Sequence, residues 1–461
     1  MGKKFINIKL SFLAIVVCFL VALTVHFDHK VWRNSNAVIA NEAMSYYTYL
    51  PAFFIFQDAS LHYVSTTSNQ VRDKIYYDKT PEGKRVIKKT MGVAYLYFPF
   101  FIVANQFTPL LGYTQNGYTK LYEEALVLSS LFYYLLGLYF LLKIVRKYAS
   151  DLASFWTVLI IGLGTNILNY VTNEPLMSHV YSFCTITLFI FYTIKWSDSK
   201  KEKHLSTLLF LLGINVLINP VNLFLILFPV ALGAESWRAI INKVKDLVLP
   251  LKKLPFRFFY FILPILPQLL YWKYNTGEWF YFELPAGESY FFSQPKILEG
   301  LFGFRKGWLV YTPLMSLFFI GLLFNFKKFH KDKAVITVFS ATILFITYSW
   351  WCWWYGGSFS ARALIDYYAI FAIPIAIVLH QVFVTKKAYL KVIIPIVISG
   401  FIYLNQVQLF QYRSGLLHWD SMTKEAYWEM FLNTDPDQET KKRYLGFLER
   451  PNYKLAKQGD R

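Results

Sequence analysis

An acid set among tyrosines follows the first hydrophobic segment of the chain. Residues 41–52 read NEAMSYYTYLPA and contain one carboxylate, Glu42, with Tyr46 and Tyr47 close behind it. A carboxylate that is partly desolvated and held by tyrosine hydroxyls can accept a proton from an attacking alcohol. Glu42 is therefore the best candidate for a general base, and both tyrosines are candidates for contacting its substrate. The alternative is that Glu42 is a surface acid at the start of a helix.

A second acidic segment, residues 172–179 (TNEPLMSH), lies between two hydrophobic runs. Glu174 would be a second carboxylate, at the same external membrane surface as Glu42. His179 falls inside the following run, where a polar side chain is costly and usually has a function or a buried partner. The alternative is that Asn173 or Ser178 simply caps a helix end here.

Cations near two glycine-containing turns are candidates for binding a phosphate leaving group. Arg305 and Lys306 precede Gly307, and Arg362 follows Gly356-Gly357. Arginine forks match phosphate oxygens, glycines allow close backbone approach, and external cations oppose the usual charge bias of membrane proteins. The alternative for Arg362 is an ordinary i,i+4 salt bridge with Asp366.

Two further segments offer substrate contacts. Trp353 and Trp354 end the run WWCWW, which could form the floor of a sugar site, an aromatic belt at the membrane interface, or both. Asn222 belongs to the segment NPVN at 219–222. There Pro220 should break a helix at depth and free backbone carbonyls, which is tolerated only where protein or a cavity satisfies them.

The composition is that of a multi-pass membrane protein. Of 461 residues, 56% are hydrophobic and 16% charged, whereas soluble domains carry about 25% charged residues. Many apolar runs are long enough to cross a hydrocarbon core of ~30 Å. The net charge of +19 falls in short clusters between these runs, which indicates cytoplasmic loops rather than nucleic-acid binding. Cys18, Cys184 and Cys352 lie in or beside apolar runs without metal-ligand spacing, which favours packing over a disulfide or zinc site.

Charge bias predicts the topology. Lysines before the apolar run at 10–27 predict a cytoplasmic N-terminus, which leaves Glu42 outside. We expect a long external loop at 28–120, in which residues 91–107 form an interfacial or re-entrant helix because of Pro99. A second external loop is expected at 273–307 and a short external tail at 412–461. About eleven spans result, among them residues 121–142, 152–170, 178–196, 258–272, 308–326 and 364–383.

These segments resemble the GT-C superfamily of membrane glycosyltransferases, in particular bacterial enzymes related to protein O-mannosyltransferases and lipid A aminoarabinose transferases. The resemblance covers most of residues 1–415. It is strongest at 42–51, where related sequences have an acid, three residues and a Tyr-Tyr-x-Tyr-Leu-Pro-like run. The chain carries Glu42 where the family usually has Asp. Further similar segments are 177–179, 219–222, 305–313 and 353–362.

The resemblance implies an all-α, polytopic bundle with its catalytic domain in residues 1–411. It also implies transfer of a sugar, with inversion, from a polyprenyl phosphate such as undecaprenyl phosphate to an external glycan, lipid or protein acceptor. Glu42 would orient or deprotonate the acceptor, and the cations at 305, 306 and 362 would stabilise the departing lipid phosphate. The implied location is a bacterial inner membrane, with the site and the C-terminus periplasmic.

No cofactor is expected. The sequence has no His-rich or paired-Asp cluster that would require the divalent metal some relatives use, and a divalent cation stays open. The main alternative function is a transporter or flippase for a lipid-linked sugar. Such a protein would place charges at the membrane midplane and would have internally symmetric halves.

Overall fold

The computed structural model of the chain describes residues 9–33, 38–281, 287–324, 326 and 329–459. The lysines before residue 9 and residues 282–286 of the predicted second external loop lie outside these ranges. The helices of the first half are α1 (Leu10–His29), α2 (Glu42–Phe54), α3 (Asn69–Arg72), α4 (Gly92–Leu110), α5 (Lys120–Tyr148), α6 (Asp151–Leu163), α7 (Ile167–Thr172), α8 (Ser178–Ser199), α9 (Glu202–Ile218) and α10 (Leu227–Ala231).

The second half is also helical. Its helices are α11 (Trp237–Val248), α12 (Leu254–Ile262), α13 (Leu266–Thr276), α14 (Ile297–Phe302), α15 (Trp308–Tyr311), α16 (Ser316–Leu323), α17 (His330–Ser349), α18 (Tyr368–Val384), α19 (Leu390–Arg413), α20 (Lys424–Glu429), α21 (Gln438–Gly446) and α22 (Tyr453–Lys457). An antiparallel hairpin in the first loop pairs β1 (Asp78–Lys79) with β2 (Arg85–Val86).

Several helices are suited to a membrane. Within the described residues, six are long and apolar enough to cross one, or up to seven if the bent pair α12–α13 is one span. The chain is therefore a mostly helical, multi-pass membrane protein, as predicted, whereas the count of about eleven spans is not confirmed. Helix α4, predicted to lie at the interface, also passes this test. The six are Leu10–Arg33, Gly92–Leu110, Lys120–Tyr148, His330–Ser349, Arg362–Val384 and Leu390–Arg413.

Three predicted spans are interrupted rather than continuous. Residues 258–272 belong to α12 and α13, which are bent by 63° at a break around Pro264. Proline has no N–H and its ring clashes with the preceding turn, so a helix bends or ends there. Residues 152–170 are interrupted between α6 and α7, and residues 308–326 at Thr312-Pro313. Each of these predicted spans therefore contains a break in its helix.

The chain forms two compact units, each built from separate stretches. The acid unit comprises Leu23–Gly137 and Tyr170–Glu283, and contains Glu42 and Glu174. The tail unit comprises Met1–Ala22, Leu138–Asn169 and Leu284–Arg461, and contains the predicted C-terminal tail.

The acid unit is organised around α2 and α4. Their facing sides form an aromatic core that also takes in the first loop, including Tyr63 and Val86. The predicted ordered loop is therefore present as α2, α3, the hairpin and their connections. Helix α9 packs against both α8 and α12. This core holds the start of α2 in place.

In the tail unit, α18 packs against α6 and α16. Buried amides of α19 join this bundle to the tail, because Gln408 Nε2 donates to the Tyr427 hydroxyl at 2.8 Å and Gln411 Nε2 to the Met430 carbonyl at 2.5 Å. Buried polar groups are normally hydrogen-bonded, so these bonds fix the tail rather than leaving it free. The tail is therefore an integral part of this unit.

Candidate functional site

Glu42 is the first residue of α2. The preceding Asn41 has φ 53°, a left-handed conformation that asparagine tolerates better than most residues. The helix then starts with hydrogen bonds from Ala43 N to Ala40 O and from Met44 N to Asn41 O. An acid in the first turn is stabilised by the positive end of the helix dipole. The helix-start position considered for Glu42 is observed.

Lys89 and Tyr46, among the residues that the structure describes, contact the Glu42 carboxylate. Lys89 Nζ lies 3.3 Å from Glu42 Oε2, and the Tyr46 hydroxyl donates to the same oxygen over 3.5 Å. The Lys89 and Glu42 side chains are 37% and 36% exposed, so the pair contributes only ~0–1 kcal/mol to stability. Its effect is to orient a carboxylate that a substrate can still reach.

Tyrosine hydroxyls fasten α2 to its surroundings. Tyr47 is fully buried and donates to the Gly117 carbonyl, and Tyr49 donates to the Lys89 carbonyl at 2.7 Å. Gly117 has φ +81°, and a Cβ there would meet Pro51 of α2 at 2.8 Å, so this turn requires glycine. Tyr47 is thus a packing residue in this structure, whereas Tyr46 faces the acid.

The second acid sits in the turn between α7 and α8. Three hydroxyls hold this turn, because Ser130 donates to the Val171 carbonyl, Tyr181 to the Pro175 carbonyl and Tyr97 to the Leu176 carbonyl. Glu174 is half-buried. His179 is buried and meets the Tyr170 ring edge-on, with 5.1 Å between centroids.

One aromatic cluster connects the two acids. The hydroxyls of Tyr46 and Tyr97 are close enough to interact electrostatically, and Tyr97 also holds the turn of Glu174. Glu42 and Glu174 are therefore both positioned by the core of the acid unit. Such an arrangement can present two carboxylates on one rigid support.

Asn222 contacts the backbone at the predicted proline break. Helix α9 ends at Ile218, and Asn222 Nδ2 donates at 3.0 Å to the Asn215 carbonyl, which also accepts from Asn219 N. Pro220 cannot continue the helix, and beyond the break the Thr90 hydroxyl donates to the Leu217 carbonyl while the Asn219 side chain accepts from Val221 N. Asn222 is fully buried, which gives it a structural role in addition to any contact with a substrate.

The tail unit contains the cationic turn. Lys306 is buried, and its ammonium donates to the carbonyls of Ser358 and Trp419. Burying an ammonium is costly unless it is paired, and these carbonyls supply the partners. Lys306 therefore ties the turn to the tail.

Arg305 keeps part of its guanidinium available. Its Nη1 donates to the carbonyls of Asp420 at 2.6 Å and Glu449 at 3.1 Å, and among the described residues Nε and Nη2 have no hydrogen-bond partner. Burial lowers the pKa of Arg305 from its ordinary value, but an arginine in a protein stays charged. Two donors of a charged fork thus remain for an anion.

The tryptophan run is buried rather than exposed as a belt. Trp351, Trp353 and Trp354 are at most 7% exposed, and the Trp354 ring contacts Tyr453 of α22 edge-on at 5.6 Å. The sequence predicts a belt at the membrane interface, the floor of a sugar site, or both; in the structure Tyr453 of the tail contacts Trp351 and Trp354. Sequence pattern could not reveal this contact, since α22 is far away in the chain.

Arg362 begins a 3-10 turn, Arg362–Tyr367, and is partly exposed. It lies within electrostatic range of the Cys352 thiol and the Tyr355 hydroxyl. Burial raises the pKa of Cys352 to about 12, with Arg362 opposing the shift, so the thiol stays protonated. Cys352 is therefore a packing residue, consistent with its place in the sequence.

The contacts of two charged side chains, Lys89 and Lys74, were not predicted from the sequence. Lys89 lies three residues before the start of α4, and no spacing rule relates it to Glu42. Lys74 Nζ lies 2.6 Å from Glu123 Oε1, with the two side chains only 11% and 2% exposed. Glu123 is an acid at the start of a hydrophobic helix, and this position could have indicated from the sequence that the acid has a buried partner.

The predicted site residues divide between the two units. The acid unit contains Glu42, Tyr46, Tyr47, Glu174, His179 and Asn222, and the tail unit contains Arg305, Lys306, Trp353, Trp354 and Arg362. Within the described residues, no group of three or more His, Cys, Asp or Glu could hold a metal ion.

A matched pair of substitutions separates orientation from packing. Tyr46→Phe removes a long hydrogen bond to Glu42 and should lower turnover severalfold with little change in stability. Tyr47→Phe leaves the buried Gly117 carbonyl unsatisfied, so it should cost ~1–3 kcal/mol of unfolding free energy with turnover per folded molecule unchanged. Thermal unfolding and turnover of the purified variants check this, and the reverse pattern would contradict the assignment.

No protein-family model matches the chain, and no curated protein matches it either. Among solved structures, it is similar to the oligosaccharyltransferase of Archaeoglobus fulgidus in its apo form, with 12% identity and a TM-score of 0.49. The similarity covers 97% of this chain and 60% of the archaeal one. We draw no conclusion about fold or function from a similarity at this TM-score.

Proposed function

We propose that the chain is a membrane glycosyltransferase of the GT-C kind, which moves a sugar from a polyprenyl phosphate to an acceptor hydroxyl. The proposal is carried by one observation: Glu42 is a partly exposed carboxylate at the start of a helix, and Lys89 and Tyr46 contact it. It also rests on the family resemblance of residues 42–51. We further propose a bacterial inner membrane, about eleven spans and a periplasmic site.

The reaction proposed is a single displacement. The acceptor oxygen attacks the anomeric carbon while its proton passes to the Glu42 carboxylate. The bond from the anomeric carbon to the phosphate oxygen breaks, and its electron pair stays on the phosphate. The configuration at the anomeric carbon is therefore inverted.

The remaining site residues have supporting roles in this scheme. Arg362 and the Nε and Nη2 donors of Arg305 would stabilise the departing phosphate, because charge-assisted bonds from arginine are strong. Lys306 would position Arg305, since its own donors are bonded to backbone. Glu174 and His179 would line the acceptor side together with Tyr46.

The proposed function is tested by measuring whether the bond between the sugar and the lipid phosphate is broken. The purified full-length protein is reconstituted in liposomes with a panel of undecaprenyl-phosphate hexoses and pentoses and a lipid, glycan and protein acceptor mixture. A transferase releases free undecaprenyl phosphate. A flippase would move the intact lipid-linked sugar across the bilayer without cleaving it, and that result would exclude the proposal.

Arg362→Ala should weaken binding of undecaprenyl phosphate. Losing a charge-assisted hydrogen bond costs ~1.5–3 kcal/mol, or about 10–100-fold in affinity. The dissociation constant is measured with the purified protein in detergent, and Arg443→Ala is the control because that arginine pairs with surface acids of the same unit. An unchanged affinity would remove Arg362 from the phosphate site.

A further inference from the structure

Helix α11 of the acid unit has no buried side chain. Its side-chain hydrogen bonds to the rest of the protein come from charged residues. Lys243 Nζ donates to the Ser197 hydroxyl of α8 at 2.9 Å, and Asp246 pairs with Lys200 Nζ at 2.7 Å. An amphipathic helix on the surface of a soluble protein buries its apolar face against the core. The apolar face of α11 is instead left for something outside the chain.

Four apolar side chains form an exposed stripe along α11. Trp237, Ile241, Val244 and Val248 follow one another at intervals of four, three and four residues, which places them on one face of the helix. All four are exposed, from 36% for Val248 to 78% for Trp237. Exposed apolar surface of this kind marks contact with a membrane or with another protein.

A buried arginine fixes the orientation of α11. Arg257 of α12 is 5% exposed, and its Nη1 donates at 2.8–3.1 Å to three carbonyls at the end of α11, those of Asp246, Leu247 and Leu249. Its Nε and Nη2 donate to Glu202 of α9 at 2.7 and 2.9 Å. The last carbonyls of a helix have no partner within it, and a cation there is also favoured by the helix dipole. The stripe is therefore exposed on a helix that is held in place.

Apolar exposure continues from α11 into a membrane-spanning segment. Leu251 and Leu254 follow α11 and are exposed, and Phe258 of α12 is exposed as well. The bent pair α12–α13 passes the test for one span. Helix α11 has only 12 residues and carries several charges, so it is too short and too polar to cross a core of ~30 Å itself. It can meet the lipid only by lying along the membrane surface.

Two cations border the α11 stripe. Arg238 is three residues before Ile241 and Lys245 is four residues after it, so both neighbour the stripe on the helix surface. Both are exposed, and among the described residues neither has an ion-pair partner. A protein could cover the stripe alone. Hydrocarbon for the stripe together with phosphate for the adjacent cations is what an anionic lipid surface supplies.

We propose that α11 is an in-plane anchor, which lies on the bilayer and binds anionic phospholipid head groups through Arg238 and Lys245. The α11 stripe then faces the acyl chains. The charge bias of the sequence puts this surface on the cytoplasmic side. The proposal does not depend on the proposed function, because α11 contains none of the residues assigned to the reaction. Through Arg257, lipid bound to α11 holds the corner where α9, α11 and α12 meet.

Spin labels on the full-length protein in liposomes test whether lipid covers the stripe. Labels are attached to Ile241→Cys or Val244→Cys in the stripe, and to Asn242→Cys, an exposed position on another face, as the matched control. The three native cysteines are buried, which favours selective labelling. Oxygen concentrates in hydrocarbon, whereas nickel(II) ethylenediaminediacetate stays in water. We expect the stripe labels to collide with oxygen but rarely with nickel, and the control label to collide with nickel.

Each alternative cover gives a different pattern of collisions. Stripe labels that collide with nickel as often as the control label would show that water covers the stripe. Rare collisions with both reagents would show that a protein covers it, either a second copy of this chain or a partner. Either result would overturn the proposal.

Fluorescence quenching measures the preference for the head group. A fluorophore on Ile241→Cys is quenched by doxyl-labelled phosphatidylglycerol or by doxyl-labelled phosphatidylcholine at equal mole fraction. Each Lys or Arg near an anionic surface favours it by about fivefold, so the local concentration of phosphatidylglycerol should be about fivefold higher or more. Equal quenching by the two lipids would overturn the head-group assignment.

A pair of double variants tests the two cations. Arg238→Gln/Lys245→Gln should remove most of the preference for phosphatidylglycerol. Lys79→Gln/Lys84→Gln removes the same charge from the exposed hairpin of the first loop and should leave the preference unchanged. A preference that survives the first double variant, or one that both double variants reduce equally, would contradict binding through Arg238 and Lys245.

Discussion

Glu42→Gln should reduce sugar transfer by about 10²–10⁴-fold, the usual contribution of a general base. Glutamine keeps the shape of the side chain and can still accept the hydrogen bond from Tyr46, but it cannot take up a proton. Because the Lys89 pair is half-exposed, its loss should change the stability by less than ~1 kcal/mol. Turnover of the purified variant, normalised to folded protein, is the measurement.

Glu82→Gln is the matched control, since Glu82 is an exposed acid of the same first loop. It should retain the turnover of the unmodified chain. Unchanged turnover in Glu42→Gln would remove Glu42 from the reaction, and equal losses in both variants would point to a general effect of charge in this loop.

Lys74→Met should destabilise the acid unit by ~3–5 kcal/mol, because it leaves the Glu123 carboxylate buried without its partner. The side chains of Lys74 and Glu123 are 11% and 2% exposed and lie 2.6 Å apart, joining the first loop to the start of α5. We expect a lower unfolding temperature and faster protease cleavage in the first loop. Lys84→Met, which removes an exposed lysine of the same loop, should change neither.

The double variant Lys74→Met/Glu123→Met distinguishes a buried pair from two independent effects. Replacing both charges with apolar side chains of similar length removes the unpaired carboxylate, so much of the lost stability should return. If the double variant is as unstable as the sum of the single variants, the coupling between the two charges is absent and this account of the first loop is wrong.

The sequence predicted the helical elements that local pattern controls. Charge and apolar runs identified α1, α5, α8 and α18, and the segment at 219–222 was predicted to break a helix. Proline breaks inside apolar runs were harder, because an apolar run does not distinguish one straight span from the bent α12–α13 pair. The bend depends on how the chain packs around Pro264.

Contacts between segments far apart in the chain account for what the sequence could not predict. Lys306 was predicted to bind phosphate, and the structure adds that its ammonium donates to the carbonyls of Ser358 and Trp419, neither of which has a sequence signature. The tryptophan run was predicted to lie at the membrane interface, and in the structure the Tyr453 ring contacts Trp351 and Trp354. Glu42 could be proposed from the sequence because its signal, an acid before a tyrosine run, is local.

The stereochemistry of sugar transfer tests the proposed single displacement at Glu42. The purified full-length protein in liposomes is given the undecaprenyl-phosphate sugar that it cleaves, and the anomeric configuration of the glycosylated product is determined by NMR. We predict a product with the configuration opposite to that of the donor, formed by the unmodified chain and not by Glu42→Gln. Retained configuration, or recovery of the donor intact, would contradict a single displacement assisted by Glu42.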